Sequence, residues 1–398
     1  MEIRNFFISL YTPSVITEDI KNYLNIAILP SIDSSHQVSL CALPSLVEIK
    51  NVINYLHPLK APGIDGFHAI FYQKSWDLIN EGLISKIRNI FNCSRIPPDW
   101  GKTLITLIPK IENASHPSHY RPIGLCQTQY KILSKLLANR IKPLLSNIIS
   151  PFQGAYVKGQ HTSDLFITAQ ETIHSMHKST SKICWMVIKL DIQKAFDTIS
   201  WSFIQQMLTA FKFPIPFINL IMSCLQSASY SILINNKQTD FFAPGRGIRQ
   251  GDPISPYLFI LAMEFLSQSI QQQIQRNNWK PFKFRNSNLK ISHLLFADDI
   301  LLFSKADRKG CQIISDTLSN FSKVSARVLR KGIGLKFLNR DVAADGNVRE
   351  SGDVGGGLGK NALAKYGRTS KAGLTVLQHL PQFISLSVWQ ASNPPDPP

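Results

Sequence analysis

Asp298 and Asp299 stand side by side in "HLLFADDILLF" (293–303), a run that is otherwise apolar. Neighbouring like charges in apolar surroundings are unfavourable unless a cation or a turn toward water relieves them. A hairpin turn at the aspartates meets that need, because there two carboxylates can emerge together. A third carboxylate, Asp191, closes "ICWMVIKLD" (183–191), which is apolar enough for a central strand buried on both faces. If the two elements are neighbours in one sheet, the three carboxylates converge. Hard oxygen donors of this kind suit Mg²⁺. Two such ions about 3.5–4 Å apart stabilise the attacking and leaving oxygens of phosphoryl transfer. A lone DD pair in a turn is more often solvated than catalytic, so the weight rests on what surrounds it.

Phe196 follows Asp191 by five residues in "DIQKAFD". A ring there can lie beneath a bound sugar and exclude a 2′-hydroxyl; the plainer reading is a core aromatic. The loop "GRGIRQGDPISP" (245–256) carries three glycines and two prolines. In it Gly251 allows close backbone approach, while Arg249 and Gln250 offer planar donors to a base or phosphate. Lys110 ends a strand-like stretch and Arg121 follows a loop in "HYRPIGL". Strands that pair there would present two cations to a triphosphate, although each alone reads as a solvated surface charge.

The elements that must hold these groups are legible in outline. "SLVE" from Ser45 forms a capping box with Glu48 and starts a short helix to about Leu56. "FHAIFYQKSWDLINEGLISKIRNIF" reads as one long amphipathic helix, and "TLITLIPKI" (103–111) as a strand. Helices are predicted over 129–149, 162–178, 201–211 (capped by Ser200) and 309–325, and another after Ser255-Pro256, with the serine as cap and proline at the first helical position. "YSILINNKQTDFF" reads as a hairpin turning at Asn235-Asn236. Residues 1–43 are weakly patterned. Residues 326–398 hold 10 of the 21 glycines and lose periodicity, which predicts a segment without a core of its own.

The 398-residue chain is 44% hydrophobic, and its formal net charge of +17 favours a polyanionic partner such as nucleic acid. The scattered cysteines contain no CxxC pair, which argues against a zinc site or a disulfide framework. The apolar run at the start is too short for a signal peptide, and no membrane-spanning run is present. An intracellular location, nuclear or cytoplasmic, is the expectation.

Seven stretches then occur in order: "LKAPGIDGF", "TLIPKIENASHPSHYRPIGL", "QYKILSKLLANRIKPLL", "ISPFQGAYVKGQHTSDL", "IKLDIQKAFDTISW", "GIRQGDPISPYLFILAMEFLS" and "HLLFADDILLFSKAD". Together they resemble the reverse transcriptase domain of LINE-type (non-LTR) retrotransposons, most like those of plants, over about 44–325. The resemblance implies an α+β right-hand polymerase fold with an N-terminal segment (1–43), fingers and connecting helices (44–182) and a palm (183–325) of antiparallel sheet backed by helices. It implies RNA-directed DNA polymerisation on an RNA template and DNA primer with dNTPs and two Mg²⁺ ions, Mn²⁺ being a possible substitute. By block matching, Asp191, Asp298 and Asp299 are the catalytic metal ligands. Phe196 matches the sugar-selecting aromatic, Gln250 and Gly251 the loop facing nucleotide and template, and Lys110 and Arg121 the triphosphate contacts. "FADD" rather than "GDD" favours reverse transcriptase over a viral RNA polymerase. Two departures stand out. No endonuclease fits in the first 43 residues, and the segment 326–398 resembles neither a further palm strand nor a thumb, so it is expected to be a Gly-rich disordered tail. The alternative reading is an inactive remnant that at most binds nucleic acid non-specifically.

Overall fold

The computed structural model describes residues 2–13, 18–26, 29–179, 184–192, 194–285, 287–325, 329–330 and 335–338. Its frame is two sheets. In the first, β1 (Lys102–Pro109) pairs antiparallel with β2 (Tyr120–Cys126) and parallel with β3 (Ser229–Ile234), which turns into the short β4 (Lys237–Gln238). The turn between β3 and β4 is Asn235-Asn236, with φ of +49° and +60°, the doubly left-handed geometry that a two-residue hairpin requires and asparagine tolerates.

The second sheet is antiparallel throughout. Its strands are β5 (Trp185–Ile192), β6 (His293–Phe296), β7 (Asp299–Lys305), β8 (Leu329–Arg330) and β9 (Leu335–Leu338). The central β5 pairs with β7 on one side and with β8 and β9 on the other, and β7 pairs with β6. Alternation along β5 gives each face its own cover. Met186, Leu190 and Ile192 enter the main core with Leu302, while Val187 joins Phe303, Ala169, Ile173 and Met176 on the other face. The last three come from the helix Thr162–Lys178. The sheet is therefore buried on both faces, as the apolar run predicts.

On the main-core face lies the helix Ser255–Gln275, which packs against Trp201–Ala210 and Arg308–Ser325. Phe203, Phe265 and Phe321, one from each, meet with ring centroids 5.6–6.2 Å apart. The mixed helix and antiparallel sheet architecture matches the fingers and palm expected from the sequence.

Several expectations need correction. The helix expected over 129–149 is interrupted rather than continuous: Thr128–Ile141 gives way at Pro143, which lacks the N–H to continue it, to a 3₁₀ turn, Lys142–Leu144, and then to the short helix Leu145–Ile148. The expected long helix 67–91 divides at Ser75 into Ala69–Lys74 and Trp76–Cys93. Ser45 caps Leu46–Tyr55 by accepting from Glu48 N, but the Glu48 carboxylate is taken by Arg140 in a bidentate pair (2.9 Å each) rather than returning to the cap. Ser255 is the first helical residue rather than the cap, which is Ile254. Helices Glu2–Tyr11, Ser34–Cys41 and Ile215–Gln226 had no sequence prediction. Pairing of β8 and β9 with β5 carries the sheet past residue 325. The expected disorder of the remainder of 326–398 and the missing thumb lie outside the described residues. Among the described residues, no helix is long and apolar enough to cross a membrane.

Candidate active site

The register of β5 on β7 sets Asp191 directly opposite Asp299. Facing residues of an antiparallel pair carry their side chains on one face, with Cβ atoms about 4.5–5.5 Å apart. That face is the one closed by Val187 and Phe303 further along and open toward the strand ends. Asp191 is exposed and Asp299 is half-buried. Phe296 pairs with Asp299, so Ala297 and Asp298 form the two-residue turn, with Ala297 at φ +53°. The aspartates thus sit at a hairpin turn beside the end of a central strand. Among the described residues, no group of three or more His, Cys, Asp or Glu side chains is arranged to hold a metal ion. The Asp191–Asp299 pair, with Asp298 next in the turn, is the arrangement present. Lys189, on the same face, feels both charges; burial lowers its pKa, while Asp299 and Asp191 pull it back up.

The turn has a support that the sequence did not reveal. The segment around Gln153 runs parallel to β6: Leu295 N donates to Phe152 O (2.8 Å) and Gly154 N to Leu295 O (2.9 Å). Gln153, 1% exposed, accepts from Ala297 N and Ala155 N through Oε1, each at 3.0 Å. Three residues on, burial raises the Tyr156 pKa and the Asp298 charge raises it further.

The second group gathers around Asp197. β5 leads into the turn of helix Ala195–Thr198, where Phe196 stacks on Phe259 with centroids 4.6 Å apart and planes 6° apart. Ile248 N donates to Phe196 O and Gly247 N to Ile199 O, 2.8 Å each, which lays the 247–251 loop along this segment. Gln250 Nε2 donates to Asp197 Oδ1 (3.0 Å). Gly251 has φ +103°, and a Cβ there would come within 3.0 Å of Gly124 O; Gly124 N in turn donates to Gln250 O (2.7 Å). The close approach that glycine permits is therefore to β2. Lys110 N donates to His119 O (2.8 Å) just beyond the strand pair, and its charge reaches Asp197. Arg121 faces Ile108, two residues before Lys110. Burial pushes the Asp197 carboxyl up to about 6, against its hydrogen bonds and the Lys194 and Lys110 charges.

Arg249 is turned inward. It is 4% exposed, donates to Cys224 O (3.2 Å) and lies 4.1 Å over the Tyr130 ring. It builds the junction between loop and core rather than offering a donor to a ligand. Asp197 and Gln153 lacked a sequence signal because the contacts of Asp197 with Tyr11 and Gln250, and of Gln153 with Ala297, each span more than fifty residues.

The family model described as reverse transcriptase (RNA-dependent DNA polymerase) matches residues 108–331, more than half of the chain. A transposon TX1 uncharacterized 149 kDa protein of Xenopus laevis is 26% identical over 87% of this chain and 27% of its own length. A retrovirus-related Pol polyprotein from type-2 retrotransposable element R2DM of Drosophila melanogaster is 27% identical over 71% of this chain and 24% of its own length. The chain thus spans about a quarter of the length of these relatives. The matched span takes in the end of β1, all of β2, both aspartate elements and the Gln250 loop, and the chain belongs to the reverse transcriptase family, of the non-LTR retrotransposon kind.

Proposed function

We propose that the chain carries out RNA-directed DNA polymerisation, extending a DNA primer along an RNA template with dNTPs. The observation that carries this reading is the cross-strand pairing of Asp191 with Asp299 beside the Asp298 turn. The donor set fits Mg²⁺: carboxylate oxygens are hard ligands, and the open strand end leaves room for water and phosphate oxygens. Asp191 and Asp299, joined by Asp298 once its side chain turns toward them, would hold two ions, with Mn²⁺ as a substitute. Bound there, the metal supplies Lewis acidity at the reacting phosphate.

The chain's own groups do the rest. The primer 3′-hydroxyl attacks the α-phosphate of the dNTP and pyrophosphate departs. Lys110 and Arg121, at the same end of the β1–β2 pair, offset the triphosphate charge. Phe196, held flat by Phe259, offers a rigid edge against a 2′-hydroxyl. Gln250 and Gly251, fixed to β2 through Gly124, would face the nucleotide and template.

Primer extension on poly(rA)/oligo(dT) with Mg²⁺ tests this. Extension is expected for the native chain. Asp191→Asn is expected to lower it on the order of 100-fold or more, the usual cost of deleting a preorganised charge at a reacting centre. No extension by the native chain, with binding to the primer–template retained, would leave a non-enzymatic nucleic-acid binder.

A further inference from the structure

The N-terminal helix Glu2–Tyr11 lies outside the span matched by the family model, yet it reaches both sides of the Asp197 group. At one side Phe6, midway along the helix, meets His116, beyond the β1 end, with ring centroids 5.8 Å apart, and takes Lys194 Nζ 4.0 Å over its ring. At the other, Gly245 N donates to Tyr11 O (2.9 Å) and Arg246 Nε to Leu10 O (2.8 Å), so the helix end is tied to the start of the 245–251 loop. Between these, Tyr11 Oη donates to Asp197 Oδ1 (3.1 Å), the same oxygen that accepts from Gln250 Nε2. Tyr11 and Asp197 are 4% and 2% exposed, so water does not compete freely for this oxygen.

We propose that Tyr11 is a positioning residue for the nucleotide pocket, acting through Asp197 to fix the carboxamide of Gln250. The inference rests on the role of Gln250 given above and adds a residue to it. The chemistry is directional. An ionised carboxylate only accepts hydrogen bonds, so Gln250 must turn Nε2 toward it. That leaves Oε1 and one N–H of Gln250 for a nucleotide. Tyr11 anchors Asp197 from behind, and burial keeps its phenol protonated and donating. The charged groups that reach Asp197 are Lys194 from its own segment and Lys110 from the β1 end. Removing the Tyr11 hydroxyl leaves Asp197 and Gln250 in place but frees the carboxylate to rotate, and with it the amide.

The test uses the full chain with dTTP on poly(rA)/oligo(dT), comparing Tyr11→Phe, Gln250→Ala and the double variant. Tyr11→Phe is expected to raise the KM for dTTP about five-fold, the worth of one hydrogen bond, with kcat largely kept. In the Gln250→Ala background the same change should have no further effect. A KM effect that persists undiminished there would overturn the proposal, as would an unchanged KM in Tyr11→Phe alongside a raised one in Gln250→Ala. Amide hydrogen exchange over 247–252 supplies a readout that needs no activity: it should quicken in Tyr11→Phe and in Asp197→Asn. If Gln250→Ala leaves dTTP use untouched, the assignment of Gln250 to the pocket fails. The exchange experiment then still decides the linkage, and unchanged exchange would overturn it.

Discussion

Phe196 packs its ring on the core residue Phe259 yet is itself only half-buried, which leaves part of the ring accessible for the proposed sugar-selecting role. Phe196→Ala is expected to raise rNTP incorporation relative to dNTP. The ratio is the useful measurement, because lost packing lowers both rates together, and an unchanged ratio would refute the sugar-selecting role. Two other residues bear on stability. Glu264 is 1% exposed, accepts from Ser150 N (3.0 Å) and Gln268 Nε2 (2.7 Å), and burial pushes its pKa from 4.5 up to about 8. Between those values the folded chain keeps a proton that the unfolded chain has released, so its contribution to stability falls as pH rises. His293 has the opposite slope. Held between Ser267 Oγ (2.8 Å) and Ser292 Oγ (2.9 Å), it is pushed by burial from 6.5 down to about 3, so its contribution is lost as pH falls through that range. The two oppose each other from 4.5 to 6.5, and above 6.5 Glu264 acts without that opposition. Denaturant midpoints are therefore expected to decline from about pH 6.5 to 8, and Glu264→Gln to flatten the decline. A variant with the native slope would rule this out.

At the scale of elements, the aspartate hairpin depends on a segment far from it in sequence. Gln153→Leu removes the acceptor for Ala297 N and Ala155 N while keeping bulk. Leaving buried donors unpaired costs about 1–3 kcal/mol, so a lower unfolding midpoint and slower extension are expected together; slower extension at native stability would place Gln153 in the chemistry instead. The dependence was illegible because the contact is long-range, whereas the hairpins were plain. Asn235-Asn236 announces its own turn geometry, and the paired aspartates in an apolar run can only be a turn or an error. Helix Ile215–Gln226 was missed for a different reason. Phe217, Ile218, Leu220, Ile221, Met222, Cys224 and Leu225 are all buried, and the open face of Ile215, Asn219, Ser223 and Gln226 is narrow and uncharged, so the period it creates is faint. Arg249 misled in the other direction, since a lone cation in a glycine loop carries no mark that it will turn inward over Tyr130.

For the molecule as a whole, charge should govern how it meets a polyanion. Residues 1–325 carry 33 Lys and Arg against 21 Asp and Glu, so the excess is a property of the folded body as well as of the segment after it. Cations that neutralise phosphates release condensed counterions, and the logarithm of the binding constant then falls linearly with the logarithm of salt, by about 0.7–0.9 per phosphate contact. Six or more contacts would cost about 10³ in affinity between 50 and 200 mM salt. Binding to poly(rA)/oligo(dT) is expected to show at least that loss, and a fall of less than about tenfold would point to a partner that is not a polyanion. Lys110 sharpens the test. It stands just beyond the end of β1, where its charge acts on Asp197, in the group proposed for the incoming nucleotide rather than for the duplex. Lys110→Ala should therefore raise the KM for dTTP and leave the salt slope for primer–template binding unchanged. A cation on the duplex track behaves the other way, weakening binding and lowering the slope by about 1. If Lys110→Ala lowers the slope and spares the KM, the nucleotide pocket does not extend to the β1–β2 pair, and the fingers contact template there instead.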